Sequence, residues 1–318
     1  MTPPVIAEVI RSGYVEGTHT GAVVALRADG STALALGDLE RPVFPRSSNK
    51  PLQAVGLLEL GWDPSDDEQL ALATASHNGE PAHLQVVRRQ LASAGVTEDA
   101  LGCPPALPLH EPTAHALLAA GGGPTRLQMN CSGKHAGMLC AAVAVDAPVS
   151  GYLSAKHPVQ AHLQATIERL AGEPVRHVAV DGCGAPQHAL TLPGLARGLA
   201  ALATAPPGTP DRRTADAMRT QPFLVGGTDR DVTALMRAVP GMVAKDGAEG
   251  VYVVALADGS AVALKVEDGA ARARLPVLVA ALRSLGVEGP ALEAMATTPV
   301  LGGGRVVGAV RPAGPLAR

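Results

Sequence analysis

The placement of strand-like segments at both ends of the chain, with helix-like segments between them, is the feature that most constrains the fold. Short apolar runs bounded by Gly, Asp or Ser, which are typical of strands, occupy 5–11, 21–28, 32–36, 241–245, 250–256 and 261–267. Apolar residues recur at helical spacing in 48–61, 66–75, 80–94, 132–145, 157–171, 187–203, 212–218 and 274–285. The pattern predicts an α+β fold in which N- and C-terminal strands share one antiparallel sheet flanked by helices.

The chain shows no internal repeat and no linker, so we expect a single domain over residues 1–318, although its length would also allow two. Turns are predicted at Asp29-Gly30, Asp246-Gly247 and Asp258-Gly259. The Gly302–Gly304 run is typical of a loop, and the Gly/Pro-rich end after about residue 290 adds little to the interpretation of the sequence.

Composition excludes several classes of function. A net charge of -3 and an aromatic content of 2% leave no basic surface or stacking platform for nucleic acid. No uninterrupted apolar run of membrane-spanning length is present. The N terminus reaches Glu8 and Arg11 before an export signal could form, which predicts a cytoplasmic location. Four cysteines in a chain of this length suit thiols in a reducing compartment: Cys103, Cys131, Cys140 and Cys183.

Lysine is rare in this chain, because the sequence holds five lysines against 21 arginines. Three of the five stand beside Ser, Cys or Gly, namely Lys50, Lys134 and Lys245. A buried lysine can lose its proton and act as a base or a ligand, whereas arginine cannot. The alternative is that all five are ordinary surface lysines.

The stretch Ser47-Ser48-Asn49-Lys50 opens a predicted helix that has Pro51 in its first turn. Residues at i and i+3 share one helix face, so Lys50 can reach the Ser47 hydroxyl. A serine with a neighbouring base at a helix N terminus is an activated nucleophile. The alternative is a capping serine followed by a solvated lysine.

Two further stretches gain meaning from their order along the chain. Ser76-His77-Asn78 reads alone as a turn, and Lys245-Asp246-Gly247 reads alone as a hairpin turn. Together with Ser47 and Lys50 they follow the order of S-x-x-K, S-D-N and K-T-G in serine β-lactamases and penicillin-binding proteins. His77 and Asp246 depart from those motifs, which argues against turnover of lactams.

A candidate metal site involves Cys131, Lys134 and Cys183. Cys131 and Lys134 are at i and i+3 at a predicted helix start, and Cys183 lies in the Gly-rich stretch Asp181-Gly182-Cys183-Gly184. Two thiolates and a third donor suit Zn²⁺ with water in the fourth position. The alternative is two packed thiols and a surface lysine.

Six stretches, in order over nearly the whole chain, resemble the Rhizobium-type L-asparaginase II family. They are Arg11-Ser12-Gly13-Tyr14-Val15-Glu16-Gly17, Arg46-Ser47-Ser48-Asn49-Lys50-Pro51, Ser76-His77-Asn78-Gly79-Glu80, Asn130-Cys131-Ser132-Gly133-Lys134-His135, Asp181-Gly182-Cys183-Gly184 and Lys245-Asp246-Gly247-Ala248-Glu249-Gly250. The resemblance implies a serine β-lactamase-like fold, a homodimer, and hydrolysis of L-asparagine to L-aspartate and ammonia.

The resemblance also implies roles for individual residues. Ser47 with Lys50 would form one catalytic dyad, and Ser76 with Lys245 a second. Zinc would be held near the substrate by Cys131, Lys134 and Cys183. As a hypothesis, Arg46 is placed for the substrate carboxylate and Asp181 for its ammonium, and the remaining substrate-binding candidates are Asn130 and His135.

Three other functions are compatible with the same residues. The first is an amide hydrolase of the β-lactamase or penicillin-binding type with a different substrate. The second is a zinc hydrolase in which Cys131, Lys134 and Cys183 form the catalytic set. The third is a zinc-dependent binding module for an amino acid, which would bind asparagine without releasing ammonia.

Overall fold

The computed structural model describes residues 2–317, and its main sheet is antiparallel throughout. The strands are β1 (Val5–Arg11), β2 (Tyr14–Leu26), β3 (Thr32–Leu36), β4 (Val178–Val180), β5 (Pro186–His188), β6 (Val243–Asp246), β7 (Val251–Ala255), β8 (Ala261–Val266), β9 (Thr298–Gly302) and β10 (Arg305–Pro312). The main sheet has the order β6-β7-β8-β2-β1-β10-β9, with β3 also paired to β2, and β4 and β5 form a separate pair.

Strand β2 joins the two halves of the main sheet. Its residues Tyr14 to Thr20 pair with β1, and its residues Gly21 to Leu26 pair with β8. At the junction, a Cβ on Gly21 would collide with the carbonyl oxygen of Lys265. The close approach of two backbones therefore requires glycine at this position.

Twelve α-helices lie in the described part of the chain. They are α1 (Lys50–Glu59), α2 (Asp67–Ala73), α3 (Pro81–Ser93), α4 (Glu111–Ala119), α5 (Ser132–Ala144), α6 (Pro158–Ala171), α7 (Leu192–Thr204), α8 (Pro210–Thr220), α9 (Pro222–Val225), α10 (Asp231–Ala238), α11 (Arg274–Arg283) and α12 (Pro290–Glu293). Side chains cap several N termini, as where Asp66 accepts from the Gln69 N–H and Thr191 from the Gly194 N–H.

Helix α1 is buried along nine of its ten residues, because α2, α5, α6, α7 and α8 surround it. Helix α7 packs on β2, β7 and β8 and so connects this helical layer to the sheet. One continuous hydrophobic cluster runs from Ile6 to Leu316. A charged residue on the first turn of α1 is therefore forced into a desolvated position, which is where Lys50 lies.

The structure confirms the predicted α+β class. It also shows two differences from the sequence-based expectation. The helix expected over 187–203 begins only at Leu192, because 186–188 form β5. The Gly/Pro-rich end contributes β9 and β10, and β10 pairs with β1. The single-domain organisation of 1–318 stays a prediction.

Candidate active site

Lys50 lies at the centre of a buried polar cluster built from three distant segments. Its Nζ donates to the carbonyl oxygen of Ala75 at 2.5 Å, to Ser76 Oγ at 3.1 Å and to Cys131 Sγ at 3.1 Å. Only 1% of the Lys50 side chain is exposed. An ammonium group has three donors, and here each has an acceptor, which is what a buried lysine requires.

Ser47 occupies a short 3₁₀ turn, Arg46–Asn49, that precedes α1. It is half-buried, and the Lys50 backbone N–H donates to its carbonyl oxygen, but within residues 2–317 no hydrogen bond joins the Ser47 hydroxyl to Lys50 Nζ. Its neighbour Ser48 is fully buried and donates to the Lys245 carbonyl oxygen at 3.2 Å. The turn therefore anchors Ser48 and leaves Ser47 on the more accessible side.

Lys245, the second candidate base, lies on β6 and has no solvent exposure. Its Nζ donates to the Asp246 carbonyl oxygen at 2.9 Å and to the Asp246 carboxylate. Burial lowers the pKa of Lys245 to about 8, although Asp246 opposes this effect, and the positive charge of Lys50 adds to it. No hydrogen bond joins Lys245 to Ser76 in the described chain, since Ser76 Oγ is bonded to Lys50.

Arg230 contacts both the Ser76 loop and strand β6, and sequence reasoning missed it. It donates to the Ser76 carbonyl oxygen at 3.0 Å, to Asn78 Oδ1 at 3.3 Å and to Asp246 Oδ2 at 2.7 Å. No motif in the sequence surrounds this arginine. The only local signal is the Gly226-Gly227 pair just before α10, which is typical of a tight turn.

The predicted zinc ligands lie together. Lys134 Nζ is 3.1 Å from Cys183 Sγ, and Cys131 Sγ donates to Asn130 Oδ1 at 3.0 Å. The neighbouring Cys131 sulfur and the nearby ammonium of Lys134 hold the pKa of Cys183 far below its usual value, against the effect of burial. The neighbouring Cys183 sulfur and burial raise the pKa of Cys131.

His135 supplies a second observation at this cluster. Its Nδ1 is 2.6 Å from the Tyr152 hydroxyl, whereas its Nε2 is buried and has no hydrogen-bond partner in residues 2–317. The two sulfurs of Cys131 and Cys183 and the Lys134 nitrogen are donor types that suit Zn²⁺ once Lys134 has released its proton. In the same residues, no three His, Cys, Asp or Glu side chains are placed to hold a metal, so the site depends on Lys134 as a ligand.

His77 has a structural role in this arrangement. The Gly79 N–H donates to its Nδ1 at 3.1 Å, so the proton resides on Nε2 and points at Ser132 Oγ, 2.9 Å away. Burial lowers the pKa of His77 well below its usual value, which keeps the ring neutral. The ring thus fixes the Ser76 loop to the first turn of α5.

Arg46 and Asp181 form an ion pair at the edge of the cluster. Arg46 Nε is 2.7 Å from Asp181 Oδ1, and Arg46 Nη1 is 3.7 Å from Glu249 Oε1. The φ of Arg46 is 53°, an uncommon backbone conformation for a residue with a side chain. A hollow of about 410 Å³ opens here, lined by Arg41, Pro42, Val43, Phe44, Arg46, Glu249 and Lys265. Arg46 therefore places a cation, paired with Asp181, on the wall of this hollow.

Two groups of predicted residues are thus brought into contact. Lys50, Ser76, Cys131 and Asn130 form one, and Lys134, Cys183, Asp181 and Arg46 form the other, linked through the two sulfurs. The roles of these residues in catalysis, substrate binding and zinc binding stay predictions. Of the helices in residues 2–317, none has the length and apolar character needed to cross a membrane.

Comparison with known proteins gives a family match and distant structural likenesses. The family described as L-asparaginase II matches residues 7–312. No curated protein matches the chain. A solved structure titled "Crystal Structure Analysis of Mglu in its tris and glutamate form" is similar with a TM-score of 0.35 and 14% sequence identity. The likeness covers 90% of this chain and 63% of that chain, so this chain spans less than two thirds of its length.

Proposed function

Because the chain belongs to the L-asparaginase II family, we propose that it hydrolyses L-asparagine to L-aspartate and ammonia through an acyl-enzyme on Ser47. The family makes the chain an L-asparaginase, and hence an amidohydrolase. The Ser–Lys mechanism is the proposal. The observation that supports a Ser–Lys centre most strongly is the buried hydrogen bond of 3.1 Å between Lys50 Nζ and Ser76 Oγ. Ser47 is assigned as the attacker on a separate ground, its greater accessibility.

Acylation uses one serine as the attacker and the other as a proton relay. Ser47 Oγ attacks the side-chain amide carbon of asparagine, and its proton passes to Lys50, which acts from its neutral amine form in the substrate complex. Lys50 passes a proton through the Ser76 hydroxyl to the leaving nitrogen, the C–N bond breaks, and ammonia departs. Ser47 is assigned as the attacker because a nucleophile must be reached by the substrate, and Ser76 is 5% exposed.

Deacylation uses the second lysine. Water attacks the ester carbon, and its proton passes through the Ser76 hydroxyl to neutral Lys245. The C–O bond to Ser47 then breaks as Lys245 returns that proton to Ser47 Oγ, which regenerates the free serine. Burial favours neutral Lys245, since the pKa of this amine is lowered to about 8. Catalytic hydrogen bonds often shorten only when substrate is bound, so Ser47–Lys50 and Ser76–Lys245 contacts are expected in the complex.

A second version, in which Ser76 attacks, is favoured by the hydrogen bond that already joins Ser76 to Lys50. In that version Ser47 would bind the substrate. The two versions differ in which serine carries the acyl group.

Substrate recognition is assigned to four residues around the entrance and the cluster. Arg46 would bind the α-carboxylate, and Asp181 would bind the α-ammonium once it exchanges its partner Arg46 for the substrate. Asn130 and His135 would complete the polar contacts, since His135 Nε2 has no partner within residues 2–317.

Zinc is proposed as a resident cofactor held by Cys131, Lys134 and Cys183. When bound, the ion would supply a fixed positive charge that helps to orient the substrate. Lys134 is protonated beside the Cys183 thiolate, because the charges of Cys183 and Cys131 raise its pKa and outweigh burial. It would therefore have to release its proton in order to bind metal.

Three broader properties are also proposed. The serine β-lactamase-like architecture is supported by the strand–helix–strand order and by the antiparallel sheet. A homodimer is supported by the family resemblance alone. A cytoplasmic location is supported by the four cysteines, all of which are free.

The experiment measures ammonia release from asparagine and glutamine, and the absorbance change on ring opening of nitrocefin, for the wild type, Ser47→Ala, Ser76→Ala and Ser93→Ala. Ser93 is a matched control, because its hydroxyl bonds only to the Gln90 carbonyl oxygen within α3. We expect Ser47→Ala to lose at least about 10³-fold in kcat with its fold intact, and Ser93→Ala to match the wild type. A folded Ser47→Ala variant with near-native turnover contradicts this mechanism, and nitrocefin turnover above asparagine turnover would favour a lactam hydrolase.

A further inference from the structure

Arg230 is the one side chain in the described residues that hydrogen-bonds to both the Ser76 loop and the carboxylate beside Lys245. One arm of its guanidinium holds the Ser76 carbonyl oxygen, and the other holds Asp246 Oδ2. The two side chains of the Arg230–Asp246 ion pair are largely buried, with side-chain exposures of 20% and 8%. A planar group with fixed donor directions sets the spacing of two elements more strictly than a single charge could.

The chain around Arg230 is also built against the Ser76 loop. Asn78 Nδ2 donates to the Thr228 carbonyl oxygen at 2.8 Å, and the Thr228 N–H donates to Glu80 Oε1 at 2.8 Å. Gly227 has a φ of 128°, and a Cβ there would lie 2.5 Å from Asn78 Nδ2. Two loops that are about 150 residues apart in sequence are therefore joined by backbone and side-chain bonds.

Asp246 is shared between Lys245 and Arg230, each of which holds one carboxylate oxygen. Arg274 is a third cation, 3.9 Å from Asp246 Oδ2. The other charged or titratable groups that face this cluster are Lys50 from α1, Asp231 from α10 and Tyr252 from β7. How strongly Asp246 attracts the Lys245 proton therefore depends on how much of its charge Arg230 neutralises.

We propose that Arg230 and Asp246 are positioning residues for the reaction, joining the Ser76 loop to strand β6 and setting the protonation of Lys245. The inference rests on the proposed function, in which Ser76 relays the proton that Lys245 accepts. Arg230 contributes the spacing through its two arms, and Asp246 contributes the negative charge that both cations face.

Charge and spacing can be separated by substitution. Asp246→Asn removes the carboxylate, so Lys245 should lose its proton about one pH unit lower than in the wild type. Arg230→Gln leaves Asp246 less neutralised, so Lys245 should lose its proton about one pH unit higher. Arg230→Lys keeps the positive charge but lacks the two-armed geometry, so the titration should stay near that of the wild type while kcat falls about tenfold or more.

The test measures the Lys245 titration directly, by NMR of protein labelled with ¹³C at lysine Cε, and measures the dependence of kcat on pH beside it. Only five lysines are present, so Lys245→Met identifies the resonance. Arg219→Lys is a matched control, because Arg219 also joins a carboxylate, Asp216 at 3.0 Å, to a carbonyl oxygen, that of Gly241 at 2.8 Å. This control should leave both the Lys245 titration and the pH dependence of kcat unchanged.

The inference is supported if the Lys245 titration moves in opposite directions in Asp246→Asn and Arg230→Gln. It is also supported if Arg230→Lys lowers kcat without moving that titration. Titrations that coincide with the wild type, or that move in the same direction, overturn it. If Asp246→Asn does not fold, the two Arg230 variants decide the question, because an unmoved Arg230→Gln titration is sufficient to overturn it. A wild type that titrates as expected but releases no ammonia from asparagine overturns the proposed function instead.

Discussion

Alanine at Gly133, in the first turn of α5, should disturb the active site more than the fold. A Cβ there would lie 2.5 Å from the Leu72 carbonyl oxygen, whereas ordinary contacts begin at 3.4 Å. Because the obstructing atom belongs to the backbone of α2, no side-chain rotation relieves the overlap. The start of α5 must therefore move away from α2 by roughly 1 Å, which is comparable to the misplacement that costs enzymes about 10²-fold in rate.

The residues that move with this turn are those of the proposed site. Gly133 lies between Cys131 and Lys134, and Cys131 Sγ is 3.1 Å from Lys50 Nζ. We therefore expect Gly133→Ala to lower kcat/KM by about 10²-fold. The free energy of unfolding should fall by only about 0–2 kcal/mol, because overpacking costs about 1–3 kcal/mol and alanine regains about 1 kcal/mol of helix propensity.

Gly137→Ala is the matched control, one turn further along the same helix. There the nearest atoms are the side-chain ends of Leu57 and Gln90, at 2.9 and 3.2 Å, and both can move aside. Steady-state asparagine kinetics and urea unfolding of both variants provide the measurement. Wild-type kcat/KM for Gly133→Ala, or an equal loss in Gly137→Ala, would refute the reasoning.

Three further predictions concern pH, substrate binding and metal. Burial lowers the pKa of Lys245 to about 8, so the neutral amine rises from about 9% at pH 7 to about 91% at pH 9, and kcat should rise about tenfold over that range; a flat profile excludes neutral Lys245 as the base. Arg46→Gln should raise KM for asparagine about 10²-fold with a smaller change in kcat, and Arg41→Gln, which alters an arginine of the same hollow, should not. Chelation should raise KM but leave residual turnover that Ser47→Ala abolishes, whereas complete loss on chelation would favour a zinc hydrolase.

Much of the sheet was predictable because its strands carry their signal locally. The apolar runs of β1, β3, β6, β7 and β8 stand between turn residues, and the class followed from their placement at both ends of the chain. The hairpin of β9 and β10 carries no such signal. Its turn contains Gly303 and Gly304, and a Cβ on Gly308 would collide with the Ile10 carbonyl oxygen. Gly303 and Gly304 form the turn of this hairpin, whereas Gly308 permits close pairing with β1, and that requirement depends on a distant part of the sequence.

Motifs that repeat a known chemistry identified Lys50, Ser76 and Lys245 as candidates, and the structure brings Lys50 and Ser76 into contact. The partner that each lysine contacts could not be predicted, because it depends on where α2 and α5 pack against α1. The structure shows Lys50 on Ser76 and Lys245 on Asp246. Arg230 could not be found at all, since an arginine is common in this chain and its two partners lie far from it in sequence.

The central claim is that Ser47 carries a covalent acyl group during turnover, and mass spectrometry of enzyme quenched in acid during steady-state turnover tests it most directly. The account predicts an aspartyl ester on the peptide that contains Ser47 in the wild type, and none in Ser47→Ala. An ester on the Ser76 peptide would transfer the attacking role to Ser76. Ammonia release with no ester on either serine would contradict the acyl-enzyme mechanism.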